Sequence, residues 1–281
     1  SFMRALEYMC VRESYCYTIG VDADAHIKTL ARLKPTVLIT IPSILEICLT
    51  SLSTYVKKTP DWHLNKIIYV GERLADSTRY FLETELQIEI FAYYGSSETS
   101  ALGIECENHS GIHLYTDRNI FEILATSKDD VYGEILITTL FQDGLPLLRY
   151  PVGDSILPKT GECDCKAKRY PRVEVIGRTD GSVSIMGIQF SYDSFHKIVC
   201  DLTCDYCHME VTILKNVRET IRIVLSGNLT CDSSKIKKSI LDNEHDLGYL
   251  VSGGFIDLDI QFVNQEYFSD KRKSVGIVDC R

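Results

Sequence analysis

The first hundred residues alternate between two kinds of apolar pattern, and this constrains the fold most. VLITI (Val37 to Ile41), KIIYVG (Lys66 to Gly71) and IEIFAYYG (Ile88 to Gly95) are short, nearly continuous apolar runs. Such runs suit strands buried on both faces, as in parallel sheets. Between them lie segments with helical spacing: Ala23 to Leu33, a stretch opened by Pro42-Ser43 and running through Leu52, and Asp76 to Leu86. Pro suits a first helical turn, where its missing N–H leaves nothing unpaired. Asp76 is the expected N-cap of the third helix. Strands alternating with helices predict a parallel α/β sheet.

After Asn119 the pattern becomes mostly strand: NIFEIL, GEILITTL, LPLLRY, DSILP and VEVIG. These predict an antiparallel layer or small barrel attached to the parallel sheet. The Gly, Asp and Ser cluster GRTDGS (Gly177 to Ser182) marks a junction. Beyond it, Tyr192 to Leu202 reads as an amphipathic helix, and MEVTIL, TIRIVLS and FIDLDIQF alternate apolar with polar. Ser233 to Leu241 is a further helix, with Ser233 or Ser234 as its cap. The expected organisation is an α/β unit over 1–178 followed by a small α+β unit over 179–281. In the latter, helices cover one face of a small antiparallel sheet.

Charge narrows the partners. Lys plus Arg total 30 against 39 Asp plus Glu, a net charge of −9. That balance excludes a general nucleic-acid coat, although it permits one local anion site. No run of 18 apolar residues predicts a membrane span, and the charged start SFMRALEYMCVRES lacks the apolar segment of a signal peptide. Ser1, in place of an initiator Met, fits a trimmed product. The 11 cysteines are odd in number and irregular in spacing. This fits a reduced, cytoplasmic chain rather than a disulfide framework. Cys106-x6-His113 and Cys163-x-Cys165 offer three thiolates and one imidazole, a permitted closed tetrahedral set for structural Zn²⁺. The alternatives are His109 as the nitrogen ligand, or four unligated side chains in a reduced core. Cys204-x2-Cys207-His208, with Cys200 one turn earlier, reads as structural.

Three loops line up along the chain: YYGSSE (Tyr93 to Glu98), LLRYPVGD (Leu147 to Asp154) and GRTDGSVSIMG (Gly177 to Gly187). In this order, and followed by the terminal SDKRKSVGIVDCR, they resemble the adenylate-forming enzymes. The nearest branch is the phenylacetate–coenzyme A ligases. LKPTVLITIPSIL, IECENHSGIHLYTD and CDCKAKRYPRVEVIGRTD resemble segments of that branch, so the likeness covers nearly all of the chain.

The resemblance implies that a carboxylic acid, aryl or fatty, attacks ATP to give acyl-AMP and pyrophosphate. A thiol, usually that of coenzyme A, then displaces AMP. It implies that Glu98 holds Mg²⁺, a hard ion suited to carboxylate oxygens. Tyr94 would lie against adenine, with Gly71 and Glu72 in the turn that flanks it. Gly95 and Ser97 belong to the same nucleotide loop, Ser97 keeping the hydroxyl of the family's Thr. Asp154 would accept the ribose hydroxyls, Arg178 would meet ribose or phosphate, and Arg149 is a weaker candidate. Lys273 would neutralise charge between carboxylate and α-phosphate, with Lys271 as the alternative. Asp180 and Gly181 are the expected hinge for a lid movement between the half-reactions. Both cysteine segments fall where that branch carries Cys and His.

One departure stands out. The Ser/Thr/Gly-rich loop plus Lys that grips the β- and γ-phosphates in such enzymes is absent from the sequence. The alternatives are a piece of a larger ligase, a phosphate loop supplied by another chain, or a zinc-stabilised scaffold without ATP chemistry. A carrier-protein thiol is the alternative acceptor to coenzyme A.

Overall fold

The computed structural model describes residues 11, 13–17, 22–59, 62–125, 132–203, 208–215, 218–226, 231–268 and 277–280. Its first part alternates α1 (Ala23–Leu33), β1 (Val37–Thr40), α2 (Pro42–Lys58), β2 (Lys66–Val70), α3 (Asp76–Tyr80) and β3 (Glu89–Ser96). β1, β2 and β3 are parallel neighbours, with Val37 opposite Lys66 and Lys66 opposite Glu89. The Asp22 carboxylate caps α1 by accepting from Ala25 N at 3.0 Å. Ile27 and Leu30 of α1, Leu45 and Leu52 of α2, and Ile67 and Ile90 of the sheet form one buried core.

Two local expectations need correction here. Asp76 is not a cap: Ala75 holds that position, and no side chain caps the helix. Asp76 instead lies in the first turn, where its charge still suits the helix dipole. The predicted single helix to Leu86 also changes pitch, continuing from Phe81 to Glu85 as a π-helical turn.

From β3 the sheet becomes antiparallel: β4 (Ser100–Glu105), β5 (Ile112–Leu114), β6 (Asn119–Ala125), β7 (Gly133–Thr139), β8 (Tyr150–Lys159) and β9 (Arg172–Arg178). These strands continue the same ladder, in the order β1-β2-β3-β4-β5-β9-β8-β7-β6. Tyr94, Leu102, Leu114, Ile137, Ile156 and Val173 share a second core, so the ladder curls around its own apolar face. LPLLRY is not a strand. Its Leu145 and Leu148 are exposed, and β8 begins only at Tyr150. The segment is tied to β7 by one backbone bond, Thr139 N to Leu147 O at 3.0 Å, and by two threonine hydroxyls, Leu147 N donating to Thr139 Oγ1 and Arg149 N to Thr138 Oγ1.

The last part begins with a short hairpin, β10 (Val183–Ile185) and β11 (Ile188–Phe190). It continues with α4 (Tyr192–Thr203), β12 (His208–Lys215), β13 (Glu219–Ser226), α5 (Ser233–Asn243), α6 (His245–Ser252), β14 (Ile256–Phe262) and β15 (Ile277–Asp279). Its sheet is mixed rather than antiparallel. β12 pairs antiparallel with β13, but β13–β14 and β12–β15 are parallel. The physical reason is the connection between β13 and β14: α5 and α6 give the chain length to return in the same direction. Asp232, not Ser233 or Ser234, caps α5, accepting from Lys235 N at 2.7 Å. Phe195, Val199, Ile223, Ile236 and Leu247 form the separate core of this part.

Candidate functional site

Asp154 lies on β8 opposite Arg178 of β9. Its Oδ1 accepts from Arg178 Nη1 at 3.1 Å, and its Oδ2 accepts from the Tyr94 hydroxyl at 2.8 Å. Tyr94 lies on β3, four ladder steps from β8. A flat sheet would separate those strands by about 19 Å. The curl of the sheet therefore builds this contact, which no local sequence pattern encodes. Burial and the adjacent Asp154 carboxylate raise the Tyr94 pKa, so Tyr94 remains a donor. Its ring belongs to the core and is only 9% exposed, so its firmest partner here is Asp154.

Arg178 is fixed on several sides. It donates to Val152 O at 2.7 Å, to Ser182 Oγ at 3.3 Å and to Asp180 Oδ2 at 3.4 Å. Asp180 Oδ1 accepts from Ser182 N, tying the GRTDGS turn to the same cluster. Gly153, at φ +80°, makes this packing possible: a Cβ there would lie 2.6 Å from Arg178 Nη2. Gly153→Ala should therefore displace the guanidinium as well as strain the backbone. Expected destabilisation is about 2 kcal/mol, read as a melting temperature lower by several degrees.

A carboxylate offers roughly four lone-pair positions. Tyr94 and Arg178 use one on each Asp154 oxygen. The remaining capacity fits a vicinal pair of hydroxyls. Glu98 lies in the turn between β3 and β4, exposed, with no side-chain hydrogen bond or ion pair among the described residues. Gln142 Nε2 donates to the Glu98 carbonyl, fixing the β7–β8 loop beside this turn. Gly95 must be glycine, because a Cβ would lie 2.3 Å from Ser100 O; Ser97 is exposed in the turn. Gly71 adopts φ +81° at the end of β2. Glu72, however, is engaged elsewhere: its carboxylate accepts from Ser43 N, Ser43 Oγ and Gly187 N. Arg149 reaches out to Glu122. Lys273 and Lys271 lie outside the described residues, as do Cys204 and Cys207.

A second cluster is closed and buried. One ligand atom from each of Cys106, His113, Cys163 and Cys165 lies within 4.8 Å of all the others. Cys106 Sγ is 3.6 Å from Cys163 Sγ, and Cys165 Sγ is 3.4 Å from His113 Nε2. Zn–S bonds of about 2.3 Å in a tetrahedron place ligand atoms about 3.7 Å apart, so the donors suit that ion. His113 Nδ1 lies 3.0 Å from Tyr170 O. An Nδ1–H donor there leaves Nε2 free to ligate. Sequence reasoning missed this carbonyl, since no side-chain pattern announces it.

The surrounding groups favour charge on the Cys163 sulfur but not on Cys165. A hydrogen bond from Ser110 is the main influence lowering the Cys163 thiol pKa to about 6, outweighing burial. Burial, then Cys163, pushes Cys165 up to about 11. Arg172 pins the loop by donating to Ser110 Oγ at 2.8 Å and Gly161 O at 2.8 Å. His109 is not the alternative ligand: it lies against Arg79 and Glu105 instead. Cys200 lies near His196 in the smaller part.

No family model matches the chain. Curated relatives include a phenylacetate–coenzyme A ligase of Aromatoleum evansii, 25% identical over 64% of this chain and 42% of its own length. Another, from Thermus thermophilus, is 27% identical over 42% of this chain and 28% of its own. The chain thus spans less than half the length of either. Among solved structures, a 2-hydroxyisobutyryl-CoA ligase described in the thioesterification state matches with TM-score 0.71. That match has 14% identity and covers 94% of this chain and 58% of the other. The same ligase in the postadenylation state gives 0.50 at 15% identity, covering 92% and 57%. By sequence, then, the chain is related to the phenylacetate–coenzyme A ligases, and its fold is that of the adenylate-forming ligases.

Proposed function

We propose that the chain is the AMP-binding and lid-bearing part of an ATP-dependent acid–thiol ligase. The observation that carries this reading is the Tyr94–Asp154–Arg178 cluster, assembled from three separated motifs. Asp154 receives the ribose hydroxyls, held in place by the Tyr94 and Arg178 donors. Arg178 adds positive charge beside ribose and phosphate. The exposed Glu98 carboxylate holds Mg²⁺, which when bound supplies charge to stabilise phosphate oxygens during adenylation. Gly95 and Ser97 shape and line that loop, and Gly71 turns the backbone where adenine would lie. Residues 179–281 form the mobile lid, with Asp180 and Gly181 at the hinge, and Lys273 delivers a mobile positive charge to the reacting carboxylate and α-phosphate. Cys106, His113, Cys163 and Cys165 hold one structural Zn²⁺. The substrate is a small carboxylic acid, and the acceptor is the thiol of coenzyme A. Among the described residues, no helix is long and apolar enough to cross a membrane.

The β7–β8 loop presents exposed apolar side chains. There Phe141 is 72% and Leu148 80% exposed, beside the Glu98 turn. Titration calorimetry with AMP tests the nucleotide site. The expected result is saturable binding, weakened at least about tenfold in Asp154→Ala by loss of charged hydrogen bonds. No binding at millimolar AMP overturns the reading. A second reading is a scaffold that retains AMP but lacks the chemistry. It predicts AMP binding with no pyrophosphate exchange for any aryl or fatty acid. Product analysis with coenzyme A against a carrier protein separates the two acceptors.

A further inference from the structure

The two outer cores meet through a small, largely polar contact. The β10–β11 hairpin turns at Met186 (φ +54°) and Gly187 (φ +77°), the two-residue geometry that suits twisted hairpins. Gly187 N donates to Glu72 Oε1 at 2.8 Å, and Met186 N donates to Ser43 Oγ at 3.3 Å. The Met186 side chain packs against both cores. A second bridge joins Lys215 Nζ, at the end of β12, to Glu46 Oε2 at 2.6 Å.

These contacts converge on one helix. Ser43 and Glu46 are three residues apart in α2, and so share a face. The N-cap of α2 is Ile41, which has no side-chain acceptor. Glu72 supplies one from outside by accepting from Ser43 N at 3.0 Å. A negative charge at a helix N-terminus is stabilised by the helix dipole. The same carboxylate thus caps α2 with one oxygen and holds the hairpin turn with the other.

The two scores of the 2-hydroxyisobutyryl-CoA ligase, 0.71 and 0.50, belong to one protein in two states. This chain matches the structure described in the thioesterification state better than the postadenylation one. We propose that Glu72 is a positioning residue for the thiol-transfer step. Seated at the N-terminus of α2, it captures the β10–β11 turn and, with the Glu46–Lys215 pair, holds the lid in the thiol-transfer position. The functional half of this proposal rests on the ligase reading; the structural half does not.

Hydrogen exchange by mass spectrometry on the full chain tests it, reading peptides that cover Val183 to Phe190. In Glu72→Ala, exchange at Met186 and Gly187 should rise about tenfold or more, the loss expected for a hydrogen bond to a charged acceptor. Glu72→Gln keeps the shape and serves as the second variant if Glu72→Ala fails to fold; it should raise exchange by a smaller factor. Lys215→Glu should also raise exchange, and Glu46→Lys combined with Lys215→Glu should restore protection. Unchanged protection in folded Glu72 variants and in Lys215→Glu overturns the proposal. With supplied acyl-AMP and coenzyme A, Lys215→Glu should slow thioester formation severalfold while AMP affinity stays unchanged. Altered protection in the variants, together with a wild-type chain that forms no thioester, would defeat the ligase reading and leave the latch standing.

Discussion

Serine at both Cys163 and Cys165 is expected to empty the Cys106–His113–Cys163–Cys165 cluster of zinc and to lower the melting temperature by more than about 10 °C. Apparent binding free energies for structural zinc reach roughly 10–16 kcal/mol at neutral pH. A folded chain that loses the ion therefore loses a large stabilising contribution. The cluster joins Cys106, just after β4, and His113 of β5 to the loop between β8 and β9. Arg172, Ser110 and Asn108 hydrogen-bond around it, but they depend on the loops staying together. Elemental analysis should find about one zinc per wild-type chain and none in the double variant. A chelator should lower the wild-type melting temperature toward that of the variant. A metal-free wild-type chain whose stability ignores chelation would remove the zinc assignment.

Lys273→Ala is expected to reduce adenylation by at least about a hundredfold, the scale on which loss of one charge-stabilising donor acts. The first half-reaction brings a carboxylate against a phosphate, two anions that repel until a cation lies between them. The second half-reaction needs no such cation, because the acyl group already carries its leaving group. Pyrophosphate exchange should therefore fall while thioester formation from supplied acyl-AMP stays within about threefold. Equal loss of both steps would count against this role, and Lys271→Ala provides the comparison for its neighbour. The assay requires the phosphate-gripping part of the ligase to be present, so a wild-type chain that supports exchange is its control.

Much of the fold was legible because the determining signals are local. The runs at Val37, Lys66 and Ile88 are too uniformly apolar for a one-sided strand, and they became the parallel strands. Two distinct cores lie on either side of the segment Gly177 to Ser182. Cap and boundary details were less legible. Asp76 and Asp232 are both acidic residues near a helix start, yet only Asp232 caps. The difference is backbone position by one residue, which composition does not encode. LPLLRY has strand composition but no strand: a single backbone bond and two threonine hydroxyls tie it to β7 in place of a regular ladder.

For the candidate sites, the sequence by itself determined the chemical inventory: which residues could ligate zinc, and in what order the motifs run; the ribose role of Asp154 came from the family resemblance. Residue type and spacing are properties of the chain and need no fold to be read. Tertiary structure decided who meets whom. Only the curl of the sheet brings Tyr94 to Asp154, only chain packing selects His113 over His109, and only the meeting of two cores diverts Glu72 to Gly187. These pairs are separated by tens of residues or more, and their contacts follow from burying apolar surface across distant segments, a non-directional force that leaves no local signature.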